Sequence, residues 1–125
     1  MLKLDVLIAG SAMTIHALVV NERTEVQDYL AQLPLPARKK IVMIMNRLAN
    51  GRGGGGIENF RRLDDRVFEF KEHMTNTRLF CFLHQGRVVV CTHARKKPGP
   101  RQLPAEIAKV KAFEARCRYE GLLDA

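Results

Sequence analysis

The chain has only three cysteines, Cys81, Cys91 and Cys117, with no Cys-x-x-Cys pair and no Cys/His spacing that would hold zinc. Neither a structural metal nor a disulfide framework is expected. Cys81 and Cys91 sit in apolar runs, where a thiol behaves as a small buried hydrophobe. No apolar stretch is long and clean enough to span a bilayer: residues 4–20 are rich in apolar side chains, but Asp5 and His16 interrupt them and Asn21-Glu22-Arg23 closes the run. Asp5 also spoils the apolar centre of a signal peptide, although Lys3 precedes it and Ala9-Gly10-Ser11-Ala12 follows. The expectation is a reduced, cytoplasmic protein with no membrane partner.

Further absences narrow the chemistry. The glycine run at 51–56 is followed by no Gly-Lys-Ser/Thr and leaves a helix rather than a strand, so it reads as a flexible connection and not a phosphate loop. No Ser/His/Asp or Cys/His nucleophile order stands out. Asp64-Asp65 lies among arginines rather than in the apolar pocket that a carboxylic acid catalyst needs. There is no internal repeat and no acidic tail.

What the sequence does have is positive charge. Its 125 residues carry 21 Lys+Arg against 13 Asp+Glu, a net charge of +8. The length suits one domain with a thin core and excludes a separate cofactor domain or a solenoid. Such a balance makes polyanions the first partners to consider, with plain solubility as the alternative. The excess is concentrated. Residues 61–101 hold ten basic groups (Arg61, Arg62, Arg66, Lys71, Arg78, Arg87, Arg95, Lys96, Lys97, Arg101) against four acidic ones (Asp64, Asp65, Glu69, Glu72).

The periodicities place these charges. Residues 15–20 form a β-rich run. Thr24 and Gln27 have capping-box spacing, and Val26, Tyr29, Leu30 and Leu33 follow as a helical stripe. Pro34 and Pro36 end that helix and start a second, whose buried face is Ile41, Ile44, Met45 and Leu48. From Arg66 the period becomes two: residues 67–71, 78–83 and 87–93 read as an antiparallel meander with a short turn at His84-Gln85-Gly86. A last helix spans about 104–119, with Ile107, Val110, Phe113 and Cys117 as its apolar side and Gly121 as its C-cap. The expected fold is α+β: a small, antiparallel-dominated sheet in the order strand-helix-helix-strand-strand-strand-helix. All three helices are expected on one face, with the other face open for function. Residues 1–12 read as an N-terminal extension, with Met13 an equally good start, and 13–125 as a single domain.

Adjacent antiparallel strands lie about 5 Å apart, so Lys71, Arg78 and residues near His93 can converge on one face. Such cations repel unless an anion fills the gap. Arg66 and Arg87 are expected to pair with nearby carboxylates instead.

Four segments together resemble a known group. They are Asn21-Glu22-Arg23-Thr24-Glu25-Val26 leading into a helix, Val67-Phe68-Glu69-Phe70-Lys71, Thr77-Arg78-Leu79-Phe80-Cys81-Phe82, and Thr92-His93-Ala94-Arg95-Lys96-Lys97 before a proline and a helix. In that order they resemble the phage-derived HigB-type toxins of the RelE/ParE superfamily, over about residues 13–119. Lys71 stands where the family usually has Arg, and Thr77 where it has an aromatic. The resemblance implies a RelE-like fold, a ribosome-dependent and metal-independent mRNA endonuclease, and a partner antitoxin that often carries a helix-turn-helix. No cofactor is implied.

RNA supplies its own nucleophile, the 2′-OH, so a protein need only align it and stabilise the added negative charge. On this expectation Lys71 and Arg78 hold the scissile phosphate and His93 is the candidate acid or base. Arg61, Arg62, Arg95, Lys96 and Lys97 contact RNA or ribosome. The alternatives are a ParE-like gyrase inhibitor without catalysis, or an inactive basic nucleic-acid-binding phage remnant.

Overall fold

A computed structural model describes residues 1–52 and 59–123. Among them the chain forms β1 (Leu2–Ala9), β2 (Thr14–Val20), α1 (Glu25–Gln32), α2 (Leu35–Ala49), β3 (Phe60–Asp64), β4 (Val67–Glu72), β5 (Thr77–His84), β6 (Val88–Lys96) and α3 (Leu103–Tyr119). The strands make one six-stranded sheet in the order β1-β2-β6-β5-β4-β3. Every neighbouring pair is antiparallel except β2 and β6, which the two intervening helices leave parallel. The α+β class expected from the sequence holds. Most of the glycine run read as a flexible connection falls in 53–58, outside the described residues.

The central strand β5 explains the layering. Its sequence Thr-Arg-Leu-Phe-Cys-Phe-Leu-His is apolar on both sides, and successive side chains leave opposite faces. Leu79 and Cys81 join Ile15, Val26, Ile41, Ile44, Met45 and Phe70 under α1 and α2. Phe80 and Phe82 join Leu18, Val67, Val90, Val110 and Cys117 under α3. The helices therefore lie on both faces, which corrects the expectation that they share one. A strand apolar on both sides needs a cover on each, and what stays accessible is a strip beside the first turn of α3.

The strand count also exceeds the expected four. β3 pairs with β4 through Arg61↔Glu69 and Arg62↔Phe68, but its own sequence, Phe-Arg-Arg-Leu-Asp, is too short and too charged to show a period. β1 occupies residues read as an extension. Leu2, Leu4 and Val6 alternate with Lys3 and Asp5, and the strand pairs with β2 along its length, with a bulge between Val6 and Ile8. Leu2 is 2 % exposed, so this strand contributes to the core.

Local signals are borne out unevenly. Gly121 (φ 71) ends α3 in a Schellman arrangement: its N–H donates to the Arg118 carbonyl at 3.1 Å and the Leu122 N–H to that of Cys117 at 3.0 Å. The β5–β6 turn has Gln85 and Gly86 both left-handed (φ 53 and 67), and with Arg87 they form the three-residue loop between the paired His84 and Val88. Thr24 makes no side-chain cap bond to α1. The following Glu25 turns across the sheet instead. β2 pairs with β6 only as far as Cys91, and beyond that the Ala94 N–H donates to the Glu25 carboxylate at 3.2 Å.

The β1–β2 loop is locked onto the end of α2. The Ala12 and Met13 N–H groups both donate to the Ala49 carbonyl, at 2.8 and 2.9 Å, satisfying an acceptor that the helix end leaves open. The approach needs glycine at position 10, because a Cβ there would lie 2.2 Å from the Ala49 oxygen. Gly10→Ala should therefore lower stability by roughly 1–3 kcal/mol, the usual range for overpacking. Gly99→Ala, where an added methyl meets open space, should leave the melting temperature unchanged. Thermal unfolding of the two variants side by side checks this, and equal melting temperatures would show that the loop does not need its close contact.

Candidate functional site

The register of β4, β5 and β6 sets three cations in one row. Lys71 is the cross-strand partner of Arg78, and Arg78 of Arg95, so all three leave the face that carries α3. Arg61 is on the same face, opposite Glu69. His93 stands opposite Phe80 and stacks on its ring, with centroids 5.0 Å apart. The bulge between Phe80 and Cys81 takes up the extra residue Thr92, so that His93 and Arg95 share a face with Arg78.

Two carboxylates organise the row. Glu69, 1 % exposed, lies between guanidinium groups: Arg61 reaches one oxygen at 2.8 Å and Arg78 Nε lies 3.6 Å from the other. Arg78 is itself 4 % exposed and donates from Nη1 to the Thr77 carbonyl at 3.0 Å. Glu106, in the first turn of α3, accepts from Arg95 at 2.6 Å and from His93 Nε2 at 2.9 Å. Burial pushes the Glu106 carboxyl up, but the hydrogen bonds from Arg95 and His93 more than reverse this and hold it below its ordinary value. Lys71 is half-buried, Lys96 and Lys97 are exposed, and none of the three has a carboxylate partner among the described residues.

His93 was expected to be available as an acid or base. Its side chain is 2 % exposed and both ring nitrogens are occupied, Nε2 by Glu106 and Nδ1 by the Thr92 hydroxyl at 2.8 Å. Since Glu106 only accepts, Nε2 carries a proton in this network. Burial, and then the nearby Lys109, push the imidazole pKa below its ordinary value against the pull of Glu106 and Glu25. The site thus brings together Arg61, Lys71, Arg78, His93 and Arg95. Lys96 and Lys97 continue β6 at its rim; Lys96 is the cross-strand partner of Thr77, so its side chain leaves the opposite face from Arg95. Arg62 does not join: it faces away with Phe68, donating to the Asp65 carbonyl at 3.0 Å. Arg66 pairs with the neighbouring Asp65 at 2.9 Å, as expected, and also with Glu114 of α3 through two bonds, at 2.8 and 3.2 Å, whereas Arg87 makes no ion pair among the described residues.

Sequence reasoning missed Glu106 and the holding role of Glu69. An acidic residue in the first turn of a helix is an ordinary dipole complement, so Glu106 carried no distinct signal. Among the described residues no group of His, Cys, Asp and Glu is arranged to hold a metal ion. No helix among them is long and apolar enough to cross a membrane.

Folding favours the neutral His93 ring, so the native chain binds fewer protons than the unfolded one below the ordinary value of 6.5. Stability should fall as the pH drops through 6.5 toward the lowered native pKa. In His93→Gln that part of the slope should vanish, leaving a shallower fall that includes His16, whose pKa burial also lowers. Melting temperatures of both proteins between about pH 7 and pH 5 read this out. Parallel curves would mean that His93 does not titrate with folding.

Comparison with known proteins adds one family. The profile described as phage-derived protein Gp49-like (DUF891) matches residues 28–113, from within α1 to within α3. No curated protein matches the chain.

Proposed function

The chain belongs to the phage-derived Gp49-like family, within the RelE/ParE-like toxin superfamily, and from that premise we propose that it is the toxin of a toxin–antitoxin pair that cleaves mRNA on the ribosome. The observation that carries this is the Lys71–Arg78–Arg95 row. Like charges directly opposite each other on neighbouring strands are destabilising. Three in line, with only Arg78 and Arg95 partly balanced by buried carboxylates, make a seat for a chain of phosphates.

In this mechanism the Arg78 guanidinium, oriented by Glu69 and the Thr77 carbonyl, donates to the non-bridging oxygens of the scissile phosphate. The substrate's 2′-oxygen attacks phosphorus and gives up its proton to solvent. The bond from phosphorus to the 5′-oxygen breaks, and the products are a 2′,3′-cyclic phosphate and a 5′-hydroxyl. Lys71, without a carboxylate partner among the described residues, stands beside Arg78 to give its proton to the departing oxygen. Arg61 flanks the row and Arg95 ends it, while Lys96 and Lys97 hold backbone at the rim. His93 serves as a positioning residue, tying Thr92 to Glu106 and so fixing Arg95. The ribosome supplies the aligned mRNA, and a separate antitoxin keeps the row inactive.

Arg78→Lys keeps the charge but loses the planar fork. It should cut cleavage about 100-fold or more, in line with the loss of one transition-state donor, while circular dichroism stays unchanged. The measurement is 5′-end sequencing of mRNA on stalled ribosomes, with a gyrase supercoiling assay in parallel. A supercoiling defect without new ends would replace this reading with the gyrase-inhibitor one. Neither effect would leave an inactive binding module.

A further inference from the structure

At the far end of the sheet from the cationic row, β1 has one edge paired to β2 and the other open. We propose that this edge is a docking site for a second copy of the same chain, which adds its own β1 in antiparallel pairing. The family match begins at residue 28, so β1 lies outside the matched segment and calls for its own explanation.

An open edge strand presents unpaired N–H and C=O groups to any passing strand, and a single lysine on it normally discourages pairing. Here the lysine has a counterpart. Lys3 and Asp5 flank Leu4, leave the same face, are exposed, and make no ion pair among the described residues. Antiparallel pairing of two β1 strands about a twofold axis through Leu4 sets Lys3 of each opposite Asp5 of the other. Both charges are then neutralised twice over by symmetry.

The other face is complementary as well. The same register puts Leu2 opposite the Val6 of the second copy, covering a side chain that is 59 % exposed in the single chain. The bulge between Val6 and Ile8 bends the strand away beyond that point, so the matched segment is Leu2, Lys3, Leu4, Asp5 and Val6. Five residues per strand bury little area, so the dimer is a weak one that forms with rising concentration. The pairing would join two six-stranded sheets edge to edge while leaving Arg95, Arg78 and Lys71, two, three and four strands away from β1, uncovered.

The charge pattern gives a test that does not depend on the proposed activity. Sedimentation equilibrium over roughly 10 μM to 1 mM should show the natural chain passing from monomer to dimer. Lys3→Asp makes the edge all acidic and Asp5→Lys makes it all basic, so each variant alone should stay monomeric over that range. Mixed in equal amounts they should dimerise again, because every residue at position 3 then faces an opposite charge at position 5. Hydrogen exchange on the mixture should show new protection confined to β1. Circular dichroism of each variant checks that the sheet is intact. A natural chain that stays monomeric, variants that still self-associate, or a mixture that does not dimerise would each overturn the proposal.

Discussion

Arg78 can stand almost dry in the middle of a sheet because Glu69 is buried beside it. An unpaired guanidinium at that depth would cost several kcal/mol, and so would an unpaired carboxylate. Neither residue is tolerable without the other, and Arg61 completes the set from β3. This mutual requirement ties the registers of β3, β4 and β5 together, since a one-residue slip would send one partner to the opposite face. The position of the cationic row follows from it.

A second carboxylate does similar work at the other end of the row. Glu106 comes from α3 and binds both His93 and Arg95, so the helix that covers Phe80 and Phe82 also orients the end of β6. Glu25 does the same from α1, taking the Ala94 N–H on the opposite face. The loop and helix ends are thus pinned to one strand by acids at three positions. Among the described residues, Lys71, Lys96 and Lys97 have no carboxylate partner and lie in or next to the row. Part of the net charge of +8 is therefore concentrated where an anion could bind.

The legible parts of the fold were those with a strong local period. β5 and β6 are β-rich runs on either side of a short turn, and the α2 stripe of Ile41, Ile44, Met45 and Leu48 is buried as its spacing requires. β3 escaped because its five residues include two arginines and an aspartate, and its strand character comes from pairing with β4. β1 was hidden by Asp5, which breaks an apolar run but sits comfortably on an edge strand's exposed side. Thr24 looked like a cap and is not one, since the Glu25 beside it serves a strand far away in sequence. In the site, neighbouring antiparallel strands allowed Lys71 and Arg78 to share a face, and the β4–β5 register makes them direct partners. The burial of His93 could not, because it depends on a bulge at Thr92 and on a carboxylate thirteen residues further on.

Composition and period by themselves determined a basic chain of the α+β class, with most of its excess charge in residues 61–101. They also put Lys71 and Arg78 on adjacent strands, where a shared side was open to them, because alternation along each strand is a property of the backbone. Only the tertiary structure decided which cations are held by buried acids and which remain free. It also decided that helices cover both faces, and that residues 2–9 form the sheet's edge. Those outcomes rest on contacts between segments dozens of residues apart, where the gain comes from desolvated charge pairs and shared apolar surface that no local pattern records.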